Sequence, residues 1–444
     1  MASGTRTRSR DRSQARGSGA PRRGSAQPSA AAGTPPQGTG GLRLGTRRGQ
    51  AGAFRLQRLV LLEIAAAVLL VGWAIAPMAL VPAGVIAVAL LLLAFVRRRG
   101  RSLPEWLGTA RALRARQKSA ANTQIPPCTE PGLAPAVECD PTLRTYSYGS
   151  RDRRPVGLVG DGTFVTAVVQ VEADVTALRA DRSRQPLPLA LVRDALEVDG
   201  IRLESAQLVL HTQPAPALHL PQHSVAVTNY APLQEQTGAP AVRITWIALK
   251  LDPELCLEAV AARGGGLTGA QKCVVRVADH LASRLTGAGF RTTVLNEEEL
   301  TAALATSACA NPLVTAEAGR TDARERRTEE SSRSWRCDNR RHTTYWIRRW
   351  PQLGGRGPSL PQLIALLTAT PALATTFSLT LARGERQEVS MCGHLRVTGR
   401  SDDELVAARR ALEGAARHTG MGLARLDREQ LPGVLATLPL GGVR

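Results

Sequence analysis

Cys337, Asp338 and His342 lie close together in the chain, and Cys392 stands two residues before His394. A cysteine beside a histidine can act as nucleophile and base, with an acid to orient the ring. Neither group comes with a recognisable oxyanion hole. On a strand, Cys392 and His394 share a face, which suits packing better than reaction. His211, His219 and His223 form the one histidine cluster. Pro214, Pro216 and Pro221 break up their spacing, and zinc sites present tighter Cys/His pairs. The stretch Arg263-Gly264-Gly265-Gly266-Leu267-Thr268-Gly269 contains a literal G-x-G-x-x-G ahead of a helical pattern. A dinucleotide site needs that turn directly after a strand, with an acid about 20 residues further on. Here the preceding strand pattern ends well upstream and no acid is well placed. A P-loop is excluded because Ala270 follows Gly269 where Lys is required. These groups read as packed thiols, loop histidines and a helix-capping glycine loop. The sequence assigns no catalytic residue, no metal and no cofactor.

Trp335, Tyr345, Trp346 and Trp350 interleave with Arg336, Arg340, Arg341, Arg348 and Arg349. Trp, Tyr and Arg dominate protein interfaces. The same interleaving stacks nucleic-acid bases, and a core strand is the third reading. The candidate partner interface is Trp335, Tyr345, Trp346, Arg348 and Trp350. Charge argues against nucleic acid. The formal net charge is +20, but residues 1–118 carry +17 of it and the remaining chain +3. A nucleic-acid-binding domain carries a basic face, and this body has little charge to spare. A basic segment beside an apolar one is a topology determinant and a ligand for anionic lipid.

That apolar segment runs from residue 59 to 96, with no charge after Glu63. As one helix it would measure about 57 Å, nearly twice a hydrocarbon core. Pro77 and Pro82 mark a turn, so the expectation is a transmembrane helical hairpin with spans at 59–76 and 82–96. Gly72 and Gly84 would let the helices approach closely. Arg55 and Arg58 flank the first span, and Arg97, Arg98, Arg99 and Arg101 follow the second. The turn has no Lys or Arg, which sets both chain ends in the cytoplasm. The rival, a signal cleaved after Ala76, fails because the apolar run continues past that point.

Residues 1–58 are rich in Gly, Ser, Pro and Arg and are expected to be a disordered cytoplasmic tail. Residues 97–141 read as a basic juxtamembrane helix and a Pro-rich linker, with Trp106 and Leu107 at headgroup level. Beyond them the chain repeats itself. Residues 142–310 and 335–444 each read β-α-β-β-α-β plus a terminal helix, and 311–334 reads as a charged linker. Gly289, Leu295, Glu298, Leu300, Leu304, Ala305 and Thr306 align without a gap on Gly420, Leu426, Glu429, Leu431, Leu435, Ala436 and Thr437. The fold class expected is α+β, a duplicated split-βαβ body behind the hairpin. The seven Cys include no C-x-x-C pair, which fits a reducing compartment.

Several ordered segments carry a resemblance to a family. They are Arg58-Leu59-Val60-Leu61-Leu62-Glu63, Arg97-Arg98-Arg99-Gly100-Arg101, Pro104-Glu105-Trp106-Leu107 and Asp152-Arg153-Arg154-Pro155-Val156-Gly157-Leu158. Asp161-Gly162, residues 273–285 and the run from Thr343-Thr344-Tyr345-Trp346 to Trp350-Pro351 continue the series. Together they resemble the EccE component of actinobacterial type VII (ESX) secretion systems. The resemblance implies a non-enzymatic subunit of an inner-membrane export complex, in a hetero-oligomer with the EccB, EccC and EccD components. It implies no catalytic residues, with ATPase activity residing in EccC. The long Arg-rich tail departs from the family pattern. The alternatives are a membrane-anchored, nucleotide-using transferase and a membrane-tethered nucleic-acid binder.

Overall fold

The computed structural model describes residues 43–44, 48–75, 78, 80–95, 97–98, 101–123, 126, 129–149, 154–173, 186–214, 225, 228–229, 242–320, 325–354, 357–384 and 388–442. The apolar run forms two helices packed on each other, α1 (Arg48–Ile75) and α2 (Leu80–Phe95). Helix α1 therefore begins inside the expected tail. The buried positions of the pair, among the described residues, are Ala65, Gly72, Ala83 and Ala87. All are small, which permits close helix approach. Gly84 does not share this role, because a Cβ there would meet nothing within 4 Å. Pro82 sits in the first turn of α2, where a missing N–H is harmless. Pro77 lies outside the described residues.

Among the described residues no helix is long and apolar enough to cross a membrane. The two spans expected at 59–76 and 82–96 thus find no support in helix length. Helix α2 has 16 residues, about 24 Å at the rise of an α-helix, against roughly 30 Å of hydrocarbon. The first part of α1 holds Arg48, Arg55 and Arg58, so its apolar part is little longer than α2.

Two helices lead into the body, α3 (Leu103–Asn122) and the buried α4 (Ala134–Cys139). The first half then runs β1 (Arg144–Tyr148), β2 (Val156–Gly160), β3 (Val165–Ala173), α5 (Leu189–Asp194), β4 (Ser205–Gln213), β5 (Val242–Leu251), α6 (Gly266–Gly287), β6 (Phe290–Val294) and α7 (Glu297–Ser307). After α8 (Pro312–Ala318), the second half runs β7 (Thr328–Glu330), β8 (Trp335–Cys337), β9 (Arg340–Arg349), α9 (Leu360–Thr368), β10 (Ala374–Arg383), β11 (Val389–Gly399), α10 (Asp402–His418), β12 (Gly422–Arg425) and α11 (Gln430–Leu435).

The protein is α+β, and the body is built on one large sheet. Its main path is β7-β8-β9-β11-β10-β4-β5-β3-β2-β1, with β12 also on β9 and β6 also on β3. All these pairs are antiparallel; the short strand Arg43–Leu44 adds a parallel pair with β11. Counting β3–β6 in the first half and β9–β12 in the second, the last strand neighbours the first, and the first neighbours the third, which in turn pairs with the second. The halves join through their second strands. There Val209 lies opposite Ser378, Thr212 opposite Thr375 and Ala206 opposite Leu381. Each half is also preceded by a strand pair, β1–β2 and β7–β8. Strand β7 and helix α8 therefore occupy the stretch read as a linker.

Caps fix the helix starts. Asn296 with Glu299 and Ser359 with Gln362 close capping boxes on α7 and α9, and Ser401 caps α10. The period of two then divides the sheet into faces. Leu208, Ile247, Phe377, Leu379, Leu395 and Val397 meet α6, α9 and α10 in one apolar core. The opposite face carries Gln207, His211, His342, Thr376, Ser378 and Arg396, all buried. Helices α4, α7 and α11 and the C-terminal Leu438 and Leu440 cover that side.

Candidate partner interface

The aromatic–basic cluster divides between core and surface. Trp335 is buried in the core under α4 and α7, with its ring 4.9 Å from that of His342. Tyr345 is buried in the other core, and its hydroxyl donates to Glu413 Oε1 at 2.7 Å. Burial and that carboxylate push its pKa up. These two rings serve packing and are withdrawn from any partner. A register shift between Ile347 and Arg349 bends the end of β9. Trp350 folds back there over Gly393, where a Cβ would stand 2.6 Å from the indole and 2.7 Å from Ile347. Trp346 and Trp350 stay half-buried, while Arg348 and Arg349 are exposed. The surface remnant of the candidate interface is thus Trp346, Arg348 and Trp350.

A second contact region joins α3 to the second half. Arg116 donates through Nε (2.8 Å) and Nη2 (2.9 Å) to the Glu330 carboxylate, and through Nη2 to the Arg428 carbonyl at 2.6 Å. Gln117 Nε2 donates to the Glu330 carbonyl at 2.9 Å, and Arg326 Nη1 to the Ala120 carbonyl at 2.8 Å. The Arg428 guanidinium lies 4.0 Å from the centre of the Trp106 ring, a cation–π contact. Glu330 also accepts from Leu431 N at 3.0 Å, so it fastens α3 and α11 together. Helix α3 thereby covers β7, an edge strand. Sequence reasoning set Trp106 at headgroup level and left Arg326 and Glu330 in a solvated linker. The sequence offers no local signal here, since of two adjacent glutamates Glu330 is buried and Glu329 exposed.

Beside this seat lies a buried ionic knot. Arg327 makes a two-pronged pair with Asp338, Nε to Oδ1 and Nη2 to Oδ2, both 2.8 Å. Its Nη1 donates to the Pro131 carbonyl at 2.8 Å. The Glu138 carboxylate accepts from the backbone N–H of Arg327 and Thr328. This knot ties α4, α8 and β8 together.

The reactive-looking groups separate. Cys337 and His342 are wholly buried, and Asp338 is taken by Arg327. Burial pushes the Cys337 thiol well up, opposite to what a nucleophile needs. His342 Nδ1 pairs with Thr398 Oγ1 at 2.9 Å. Burial and then the nearby Arg396 and Arg340 hold its pKa well down. His211 Nδ1 meets Thr376 Oγ1 at 3.0 Å, and burial followed by Arg396 pushes it down to about 3. His219 and His223 lie outside the described residues. Gly264, Gly265 and Gly266 have positive φ and lead into α6 after the short helix Leu257–Ala261. A Cβ at Gly269 would stand 2.4 Å from the Val260 carbonyl, so that glycine answers to helix packing. Cys139, Cys256, Cys273, Cys309, Cys337 and Cys392 form no disulfide among the described residues, and Cys128 lies outside them.

Arg55 and Arg58 fall within α1, and Arg97, Arg98 and Arg101 within a two-stranded ladder. The side chains of these five, and Arg99 as a whole, lie outside the described residues.

No curated protein matches the chain. Residues 239–347 match a family model described as "Putative type VII ESX secretion system translocon, EccE". The matched stretch runs from the start of β5 through α6, α7, β7 and β8 into β9, the part of the chain that crosses from one half to the other. Over that stretch the chain is similar to the EccE family.

Proposed function

We propose that the chain is a non-catalytic structural subunit of an inner-membrane type VII secretion complex. In this reading the hairpin spans the membrane twice, with both ends cytoplasmic, and the body docks against the EccB, EccC and EccD components. The observation that carries it is the α3 seat. The helix that leaves the hairpin is hydrogen-bonded to the body at Glu330, Arg428 and Arg326. A body held that way presents a fixed surface to neighbours in the membrane. The outward faces of the hairpin support the membrane reading: Leu70, Trp73, Ile75, Val81 and Val85 are each more than 60% exposed. An apolar surface of that extent marks a membrane or protein contact. Span length is the point against it, and tilt-free short spans are met by local thinning of the bilayer.

The test is copurification of the full chain after gentle detergent extraction. The parent should bring the other membrane subunits with it. Arg348→Glu together with Arg349→Glu should lower that recovery while leaving the melting temperature within about 2 °C, as for exposed residues away from packing. Recovery of a lone monomer, with the secretion ATPase assembled normally in its absence, would sink the proposal. For topology, Met78→Cys should label from outside the cell and Arg348→Cys only after permeabilisation.

A further inference from the structure

A cavity of about 400 Å³ opens between α3 and the Arg428 loop. Its walls include Trp106, Leu107, Arg111, Arg114, Gln117 and Arg428, and no acidic residue lines it. Arg111 and Arg114 are one helical turn apart, so their guanidinium groups reach the same side of α3. Both are exposed, and neither has a carboxylate partner among the described residues. Arg428 is held over Trp106 by the cation–π contact and by a 3.3 Å bond from Nη1 to the Trp106 carbonyl, again with no acid. Two acids close to the seat are already engaged: Glu330 by Arg116, and Asp427 by Arg425. Three cations therefore share one mouth, and among the described residues no acid lines it. Gln117 adds a polar wall and Leu107 an apolar one.

That set matches a phosphodiester carrying an apolar tail. Guanidinium groups bind phosphate oxygens through paired N–H donors. Leu107, 41% exposed, and the Trp106 ring offer apolar surface beside them. The cavity also lies in the first turns of the helix that follows the hairpin. We propose that this cavity holds the headgroup of an anionic glycerophospholipid, bound by Arg111, Arg114 and Arg428 against Trp106. The inference rests on the membrane reading above and makes the lipid part of the α3 seat. It differs from general attraction to the basic flank, because it names a discrete site on the body side of the hairpin.

The experiment uses the full chain in a neutral detergent, with thermal shift and native mass spectrometry as readouts. Short-chain dihexanoyl phosphatidylglycerol, which dissolves below its micellar concentration, is titrated against dihexanoyl phosphatidylcholine and inorganic phosphate. Only the phosphatidylglycerol should raise the melting temperature and add mass. Arg111→Gln with Arg114→Gln should weaken that binding on the order of thirty-fold, the loss of two arginines facing an anionic headgroup. Arg97→Gln with Arg98→Gln should leave it within about twofold. An equal shift from inorganic phosphate overturns the lipid in favour of a plain phosphate site. Equal loss in both double variants, or no loss in the first, overturns the discrete site. The membrane reading fails separately, if the parent chain does not sediment with carbonate-washed membranes, because the soluble lipid reports on the cavity without a bilayer.

Discussion

In the first half of the sheet the outer strand, Arg144–Tyr148, has Val156–Gly160 on one side and, among the described residues, no strand on the other. In the second half the outer strand, Thr328–Glu330, has helix α3 laid along it and pinned by Arg116 and Gln117. The two strands occupy equivalent places in the repeat, yet α3 lies along one edge and, among the described residues, no strand pairs along the other. An edge strand presents unpaired backbone groups, and proteins cover such edges or use them. The difference shows how the duplicated body is wired to the hairpin. Helix α3 is nearer in sequence to the first half but seats on the second, so the entering chain spans both halves before its first strand. The body thus has an edge covered by α3 at its hairpin connection and, among the described residues, an edge with no pairing strand at the other end of the sheet.

The turns after β2 and β8 give the sharpest contrast. In the first, Asp161 accepts from the N–H groups of Thr163 (2.8 Å) and Phe164 (3.2 Å) and so closes on itself. In the second, Asp338 reaches out of its turn to the buried Arg327. Removing one member of a buried pair leaves the other charge stranded, a loss of about 3–5 kcal/mol. Asp338→Asn should therefore cost that much in denaturant unfolding of the solubilised chain. Asp161→Asn should cost under about 0.5 kcal/mol, since Asn makes the same local turn. Similar losses at both sites would mean that the halves are stabilised alike.

The edges themselves come next. Glu330→Gln should cost about 2 kcal/mol, the range for a part-buried hydrogen bond to a charged group. It should also expose α3 to limited proteolysis. In the first half, Thr145 Oγ1 donates to Glu297 Oε1 at 2.7 Å. Glu297→Gln keeps an acceptor there and should cost under about 0.5 kcal/mol. An unchanged proteolysis pattern in Glu330→Gln would show that α3 does not depend on this ion pair.

The sequence made the apolar face of the sheet legible and the polar face much less so. Strands 242–251 and 376–382 are readable because one side of each carries Ile, Leu or Phe at period two. Their other sides carry Trp246, Thr376, Ser378 and Thr380, and beside them Arg396, which local pattern assigns to solvent. They are buried because distant segments fold over them, α7 over Arg396 and residues 436–442 over Ser378 and Thr380. Gly441 N donates to Gln207 Oε1 at 2.8 Å, and Ser205 Oγ donates to the Gly441 carbonyl at 2.7 Å. No window around residue 207 contains that information. Residues 325–330 failed for a related reason. Their charges looked solvated, yet Arg327 and Glu330 are buried by α3, α4 and α8. Trp335 and Tyr345 looked like surface anchors because interleaved arginines hid the alternation of their strands. The α3 seat was invisible for the same reason of sequence distance, although Trp106 and the basic run were marked.

The last comparison is one in which the halves should agree. Each contributes a buried imidazole near Arg396, His211 from the first and His342 from the second. Gln213 Nε2 lies 3.0 Å from His211 Nε2, which suits an accepting ring nitrogen and a proton on the Nδ1 that faces Thr376. Both rings are held neutral, with folded pKa values below the ordinary 6.5, His211 at about 3. The unfolded chain then binds more protons below pH 6.5, so stability is full above that pH and falls as pH drops toward the folded pKa. Each ring should contribute a loss of about 0.8 kcal/mol between pH 8 and pH 6. His211→Gln and His342→Gln should each flatten the melting-temperature profile over that window, and by the same amount. A profile flattened by only one of them would show that the two halves, alike in topology, do not share the electrostatics around Arg396.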